Sequence, residues 1–324
     1  MNRAKSIQTS NPNLCLPPME KVLVTGASGL IGRRLVPKLL GAGFEVNVIG
    51  RSISKYRGSR AFVWNPVLGT MDVDALKGVG QIVHLAGANV GEGRWTEARK
   101  AEMVHSRVSP IQMMLNAVSC SGTNIRSFIG ASGINYYGTE TSHRIFTEAD
   151  PAGSGFLSEL CVQWEAASDQ FAATGARVVK FRTGVVLDSR NGALPKMAST
   201  VRLGMGAALG SGQQWMPWIH IDDVCDAYLH ALQNTDLYGA YNLCAPQHIT
   251  NAQFTKALAH QLKRPLILPN VPKPALRLAL GEMAEIILEG SRVDVSKLTS
   301  TGFQFNHADL TDTLHHLLGK EKAL

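Results

Sequence analysis

Three glycines at a three-residue interval, Gly26, Gly29 and Gly32, join the apolar stretch Lys21–Thr25 to the helical pattern Leu30–Gly41. Few local sequences constrain a chain more. Gly26 permits a tight turn after a strand, Gly29 lets backbone amides approach a pyrophosphate, and Gly32 allows the helix to pack closely on the strand. The N–H groups that open such a helix have no intrahelical partner and face an anion, so Ser28, Leu30 and Ile31 join the glycines as expected diphosphate contacts. A glycine-rich turn without a ligand could carry the same letters. The strand before it and the helix after it select the dinucleotide reading.

Beyond the glycines, short apolar runs alternate with helical stretches. Glu45–Ile49, Ala61–Trp64, Gln81–Leu85, Ser127–Ala131 and Ala176–Phe181 have strand character, and most are continuous apolar runs suited to burial on both faces. Thr96–Ser119, which Pro110 is expected to divide, and Phe156–Thr174 have helical character. Pro37 falls inside the first helical pattern and is expected to kink it. This order implies an α/β chain with a doubly wound parallel (Rossmann) sheet and a smaller, mostly helical C-terminal substrate domain. The dinucleotide-binding domain is expected over 20–190, with 218–246 returning to it. The second domain takes 191–217 and 247–324. Residues 1–19 carry three prolines and no acid, and are expected to be a disordered extension, or to precede a natural start at Met19.

The second strand ends Gly50-Arg51-Ser52, with Arg where an NAD site usually carries Asp or Glu for the ribose 2′-hydroxyl. A guanidinium pairs bidentately with a 2′-phosphate, so NADP(H) is the expected cofactor. Lys55, Arg57 and Arg60 either extend a basic rim or form a solvated loop. Lys plus Arg exceed Asp plus Glu by 32 to 25, giving +7. No block of like charges marks a nucleic-acid surface, and no apolar run is long enough for a membrane helix. The five cysteines are scattered, with no Cys-x-x-Cys pair and no His spacing of a zinc site. Reduced thiols, a cytoplasmic location and no metal are therefore expected. The expected partner is a small molecule, and the sequence leaves monomer and homodimer open.

These motifs, with His84-Leu-Ala-Gly87, Trp218-Ile-His-Ile-Asp-Asp223, Tyr136-Tyr-Gly138, Ser106-Arg-Val108, Arg182-Thr-Gly-Val-Val-Leu187 and Gly302-Phe-Gln-Phe305, resemble the extended and atypical short-chain dehydrogenase/reductases. Within that superfamily the chain is similar to the epimerase-family proteins, nucleoside-diphosphate-sugar-epimerase-like, with their C-terminal segment of unassigned role. The likeness runs from Lys21 to the C-terminus.

The resemblance implies a catalytic Tyr with a Lys four residues later, and here the sequence departs. No tyrosine has that Lys, and alignment on Glu165 places Leu157 and Cys161 at the two positions. The remaining catalytic candidates are Ser132, which either bonds a substrate carbonyl or local backbone, and Tyr136 or Tyr137, which either donate a proton or pack. The resemblance places Glu102 and Arg107 by the nicotinamide ribose, where a surface ion pair is the plainer alternative for Glu102. It brings Gly184 and Val186 past the carboxamide, beside Leu85, Ala86 and Gly87. Asn89, Gln214, Trp215 and Trp218 are the substrate-cleft candidates. The implied function is an NADP(H)-dependent oxidoreductase- or epimerase-like enzyme for a small carbonyl or hydroxyl compound. The alternative is a catalytically weak NADP(H)-binding redox sensor.

Overall fold

The structure is a computed structural model that describes residues 20–52, 56–138 and 141–319. The expectations for 1–19 and for Lys55 lie outside the described residues.

Strands β1 (Lys21–Thr25), β2 (Glu45–Gly50), β3 (Ser59–Asn65) and β4 (Thr70–Met71) form one half of a large sheet. β5 (Gln81–His84) and β6 (Ser127–Gly133) lie in the other half. A short β7 (Ile145–Phe146) follows, then β8 (Arg177–Thr183), β9 (Val185–Leu187), β10 (Trp218–His220), β11 (Gly239–Leu243) and β12 (Arg292–Val293). The large sheet has eight strands in the order β11-β8-β6-β5-β1-β2-β3-β4, parallel except for the β3–β4 pair. The order reverses between β1 and β5, where Thr25 lies opposite His84. Ligands of open α/β sheets sit in the crevice at such a reversal, beyond the strands' carboxyl ends.

Side-chain alternation fixes which helices cover which face. Val22 and Val24 point into one core with Leu35 and Leu39 of α1 (Gly32–Gly41), while Leu23 points into the other. That second core takes Ile111, Met114 and Val118 of α2 (Glu97–Ser121) and Trp164 and Ala167 of α3 (Phe156–Asp169). α2 is one helix of 25 residues running through Pro110, contrary to the expected division. Pro110 removes one backbone hydrogen bond, but buried Met103 and Arg107 before it and Ile111, Met114 and Val118 after it anchor both halves. Thr96 caps the start through the Arg99 amide, and Gly122, at φ 63°, ends the helix in the left-handed conformation. α1 is continuous through Pro37.

The chain leaves the large sheet after β8. α4 (Ala193–Arg202) follows β9, and β10 pairs with β9. α5 (Ile221–Gln233) returns to the first core and β11 pairs with β8. α6 (Asn251–Gln261), begun by a Thr250/Gln253 capping box, packs with α4 and α10 (Leu310–Leu318) around Trp218 and Phe254. α7 (Lys273–Leu280), α8 (Glu285–Leu288) and α9 (Ser296–Thr299) complete the helices. Met283 and Ile286 pack on Trp95, Met103, Leu157 and Leu160, which ties the C-terminal segment to α2 and α3. Among the described residues no helix is long and apolar enough to cross a membrane.

Candidate functional site

The glycine turn is open at one place only. Gly26 has φ +67°, and a Cβ there would lie 2.7 Å from the Leu85 backbone. At Gly32 a Cβ would lie 2.4 Å from the Gly26 carbonyl oxygen and 2.5 Å from the Ala27 Cα. At Gly29 it would meet only the Gly26 oxygen, at 3.2 Å. The outer glycines are therefore required by the protein itself, while Gly29 and Ser28 are exposed. Ile31 precedes α1 without a side-chain cap; the Arg33, Arg34 and Leu35 amides donate to the Gly29 and Ile31 carbonyls, which leaves those of Leu30, Ile31 and Gly32 to face an anion.

Beside the turn lies a small open pocket, walled by Gly26, Ser28, Gly50 and Ser52 with the Phe62 ring of β3. Arg51 at its edge is exposed. The sequence reading missed three contributors. Phe62 lines the cavity, Tyr56 OH donates to the Ala27 carbonyl at 2.5 Å, and Arg33 Nε donates to the Ser28 carbonyl at 2.6 Å. Arg33 directly follows Gly32, which was the available signal. Arg57 and Arg60 are exposed.

The crevice's other wall follows β5. Thr25 Oγ1 accepts the Leu85 and Ala86 amides, at 3.1 and 3.2 Å, and so donates its proton to His84 Nδ1 at 2.8 Å. Burial holds the His84 pKa down to about 3, so the ring is neutral. Gly87 is exposed and the Arg107 guanidinium lies beneath it. Glu102 is bonded to Arg99 at 2.6 Å on the exposed face of α2, a surface ion pair. Leu30 and the Val186 carbonyl meet at Gly192, so β9 passes the glycine turn. Gly184 has a packing reason instead: a Cβ would lie 2.7 Å from both Cys244 Sγ and the Pro217 oxygen.

At the carboxyl end of β6 the proposed catalytic hydroxyls are engaged. Ser132 Oγ donates to Glu165 Oε1 at 2.7 Å, and Arg182 closes on the same carboxylate through Nε and Nη2 at 2.8 and 2.9 Å. Arg182 Nη1 donates to the Tyr137 oxygen at 2.9 Å, and Tyr137 OH donates to Asn242 Oδ1 at 2.7 Å. Ser132, Glu165, Arg182, Tyr137 and Asn242 are all buried. Burial pushes the Tyr137 phenol up to about 12 despite Arg182 beside it. Burial opposes the Arg182 charge, but the hydrogen bonds and charge of Glu165 hold its pKa above the ordinary value. Ser132 and Tyr137 thus belong to a closed ion-pair network. Tyr136 differs: it is half-buried, its ring lies 3.3 Å from the Arg182 guanidinium, and its hydroxyl bonds no described residue.

The substrate candidates separate. Trp218 is fully buried in the core shared with Phe254, and buried Gln214 donates to the Leu209 and Ile287 carbonyls. Both are structural, because their side chains face core or loop backbone. Asn89 is exposed and holds its own loop through Gly91 N and Glu92. Trp215 is half-buried, donates to the Ser142 carbonyl, and lines a small open pocket with His248 and Arg292. No metal was expected, yet His220, His307 and His316 bring ligand atoms within 4.8 Å of one another. His220 Nδ1 accepts the Asp222 amide at 3.0 Å, so the neutral ring carries its proton on Nε2, facing His316 Nδ1 at 3.1 Å. Nδ1 is thus occupied as the helix cap and protonated Nε2 is a hydrogen-bond donor, so neither is a free ligand.

The glycine turn, the basic strand end and the strand-order reversal together define a dinucleotide-binding Rossmann protein. Residues 22–244 match the model of the NAD dependent epimerase/dehydratase family, and residues 271–317 match a domain of unknown function. The chain belongs to that family. It is 40% identical over 296 residues to the epimerase family protein Mb2239 of Mycobacterium bovis, covering 90% of this chain and 96% of that one. It is 33% identical to epimerase family protein SDR39U1 of Mus musculus, covering 91% and 98%. The crystal structure of human epimerase family protein SDR39U1 (isoform 2) with NADPH superposes with a TM-score of 0.82 at 30% identity, over 93% of this chain and 99% of that one.

Proposed function

We propose that the protein is an NADP(H)-dependent oxidoreductase- or epimerase-type enzyme acting on a small carbonyl or hydroxyl compound, nucleotide-sugar-like or simpler. One observation carries the reading. The middle glycine of the turn is open while its two neighbours are filled by protein, beside a cavity whose rim carries the exposed Arg51 and Ser52. Backbone amides of Ser28, Leu30, Ile31 and Gly32 would hold the diphosphate, with the Gly29 amide closing the turn on the Gly26 carbonyl; Gly50, Arg51 and Ser52 would hold the 2′-phosphate, and the Phe62 ring the adenine. Leu85, Ala86 and Gly87 form the facing wall. The NADPH in the human relative's structure supports the same choice. Bound nicotinamide supplies the hydride; the chain supplies position and a proton source. Of the three hydroxyls considered, Tyr136 is the one not already committed inside the protein.

The engagement of Ser132 and Tyr137 favours a second reading, an NADP(H)-responsive binding protein. Calorimetric titration of wild type and Arg51→Asp with NADPH and NADH tests the cofactor. NADPH should bind wild type more tightly by about 1.5–3 kcal/mol, the contribution of a charge-assisted contact, and Arg51→Asp should remove that preference. Equal NADPH affinity in the two proteins overturns it. A carbonyl screen following NADPH absorbance separates enzyme from binding protein.

A further inference from the structure

One buried charge in the described structure has no counter-charge. Arg107 is 7% exposed. Its Nη1 and Nη2 donate to the Met103 and Ala88 carbonyls, each at 3.0 Å, its guanidinium stacks 4.8 Å from the Trp164 ring, and its Nε is buried without an acceptor. No carboxylate among the described residues pairs with it. Glu102 is held by Arg99 and Glu165 by Arg182 and Ser132. Its charged surroundings are Arg99, of like sign, and the Cys161 thiol, which burial pushes up to about 11 and keeps neutral. Burial, with Arg99 adding to it, brings the guanidinium down to about 10, so it stays charged at neutral pH. An unpaired buried charge is costly, and here two carbonyls and the Trp164 ring offset it without a counter-ion.

Its position gives it a use. A Cβ at exposed Gly87 would lie 3.1 Å from the guanidinium carbon, so the charge sits directly beneath the loop after β5. The same loop walls the glycine turn, since a Cβ at Gly26 would strike Leu85. On its other side the guanidinium neighbours Cys161, whose Sγ would lie 3.5 Å from a Cβ at Gly133, the last residue of β6. The cavity by Gly50 and Phe62 lies beyond β1 and β2; Arg107 lies by the ends of β5 and β6, across the strand-order reversal. A dinucleotide with its adenosine in that cavity and its diphosphate on the glycine turn extends its nicotinamide toward Arg107.

We propose that Arg107 is the fixed cation of the nicotinamide end and that it biases this cleft toward reduced over oxidised cofactor. The proposal rests on the NADP(H) reading. NADPH and NADP+ carry the same phosphates, but the oxidised ring bears a positive charge and the reduced ring does not. A guanidinium held at low dielectric without a counter-ion repels the first and leaves the second unaffected. On this reading Arg107 supplies, from α2, a cation beside the neutral Cys161 of α3.

The test is calorimetric titration of wild type, Arg107→Lys and Arg107→Met with NADPH, NADP+ and adenosine 2′,5′-bisphosphate, which lacks the nicotinamide half. Wild type should bind NADPH about tenfold more tightly than NADP+. Arg107→Lys should retain most of that ratio and Arg107→Met should bring it below about threefold. The bisphosphate should bind all three proteins alike. A wild-type protein that binds NADP+ as tightly as NADPH overturns the proposal without reference to any variant. So does an unchanged ratio in a folded Arg107→Met, or equal weakening of all three ligands, which marks a structural role. Failure of wild type to bind any of the three ligands defeats the cofactor reading itself, a distinct outcome.

Discussion

Two edges of one sheet, both at strand carboxyl ends, are built in opposite ways. At β1 and β2 the polar groups are backbone amides and an exposed Arg51, and a Cβ at the central glycine meets a single atom. At β6 and β8 the polar groups are side chains, and Ser132, Glu165, Arg182, Tyr137 and Asn242 satisfy one another within the protein. The first edge is a place for a ligand; the second is a strut that holds β6, α3, β8 and β11 together. The chain thus has a nucleotide fold without the Tyr/Lys pair that the sequence resemblance implied. The residues around the missing pair have been joined into structure.

Breaking the strut should produce the largest effect. Glu165→Gln leaves the Arg182 guanidinium buried without its carboxylate, and removal of one member of such a pair costs about 3–5 kcal/mol. Urea denaturation measures it, and a loss under about 1 kcal/mol would show that this edge is not held by the network. The glycine edge should respond in binding instead. Gly29→Val places a branched side chain where the backbone must approach phosphate. NADPH affinity should fall at least about 100-fold, or about 2.7 kcal/mol, with little change in melting temperature. Retained binding by that variant would dissolve the contrast.

How much of this was legible depends on the range of the physics. The glycine turn is written in seven consecutive residues, each constrained by its immediate neighbours, so Gly26, Gly29, Gly32 and the helix after them could be read directly. Arg51 is legible for the same reason, being fixed by its place after β2. The network links residues 132, 137, 165, 182 and 242, which only the tertiary fold brings together. A signal existed: Lys180 lies within the run Val178–Phe181 and Arg182 directly follows it, and a central strand with two cations demands carboxylates. Glu165 and Asp169 supply them. Trp218 and Gln214 misled because aromatic and amide side chains suit a cleft and a core equally, and only burial separates them. Pro110 misled because a local helix-breaking rule gave way to packing along 25 residues.

Acid should weaken the protein from the first edge. His84 is fully buried with its Nδ1 held by Thr25, and its pKa falls to about 3 from the ordinary 6.5. Between those values the unfolded chain binds a proton that the folded chain excludes. This contribution to stability is therefore complete above about pH 6.5 and declines at about 1.4 kcal/mol per unit as pH falls toward 3. At pH 5 the loss from His84 alone is about 2 kcal/mol. His84→Gln should flatten that part of the pH dependence of urea unfolding. An unchanged slope would place the titration elsewhere, with His220 of the three-histidine cluster, held at about 4 by burial and its neighbours, the next group to replace.

The smallest change is the one that separates the two tyrosines. Tyr137 is buried and makes two hydrogen bonds through its hydroxyl, so Tyr137→Phe leaves Arg182 Nη1 and Asn242 Oδ1 each short of a partner and should cost about 1–3 kcal/mol. Tyr136→Phe removes a hydroxyl that bonds no described residue and keeps the ring against Arg182, so stability should change by about 0.5 kcal/mol or less. Catalysis should reverse that order. If a carbonyl compound is reduced in the NADPH screen, Tyr136→Phe should slow turnover by about a hundredfold, the lower end of a general acid's contribution. Tyr137→Phe, assayed below its melting temperature, should alter turnover far less. Equal turnover in Tyr136→Phe and wild type would exclude that phenol as the proton source. With both tyrosines excluded, the candidate left at this edge would be Ser132, whose hydroxyl is held by Glu165, and tight cofactor binding without turnover would favour the NADP(H)-responsive protein.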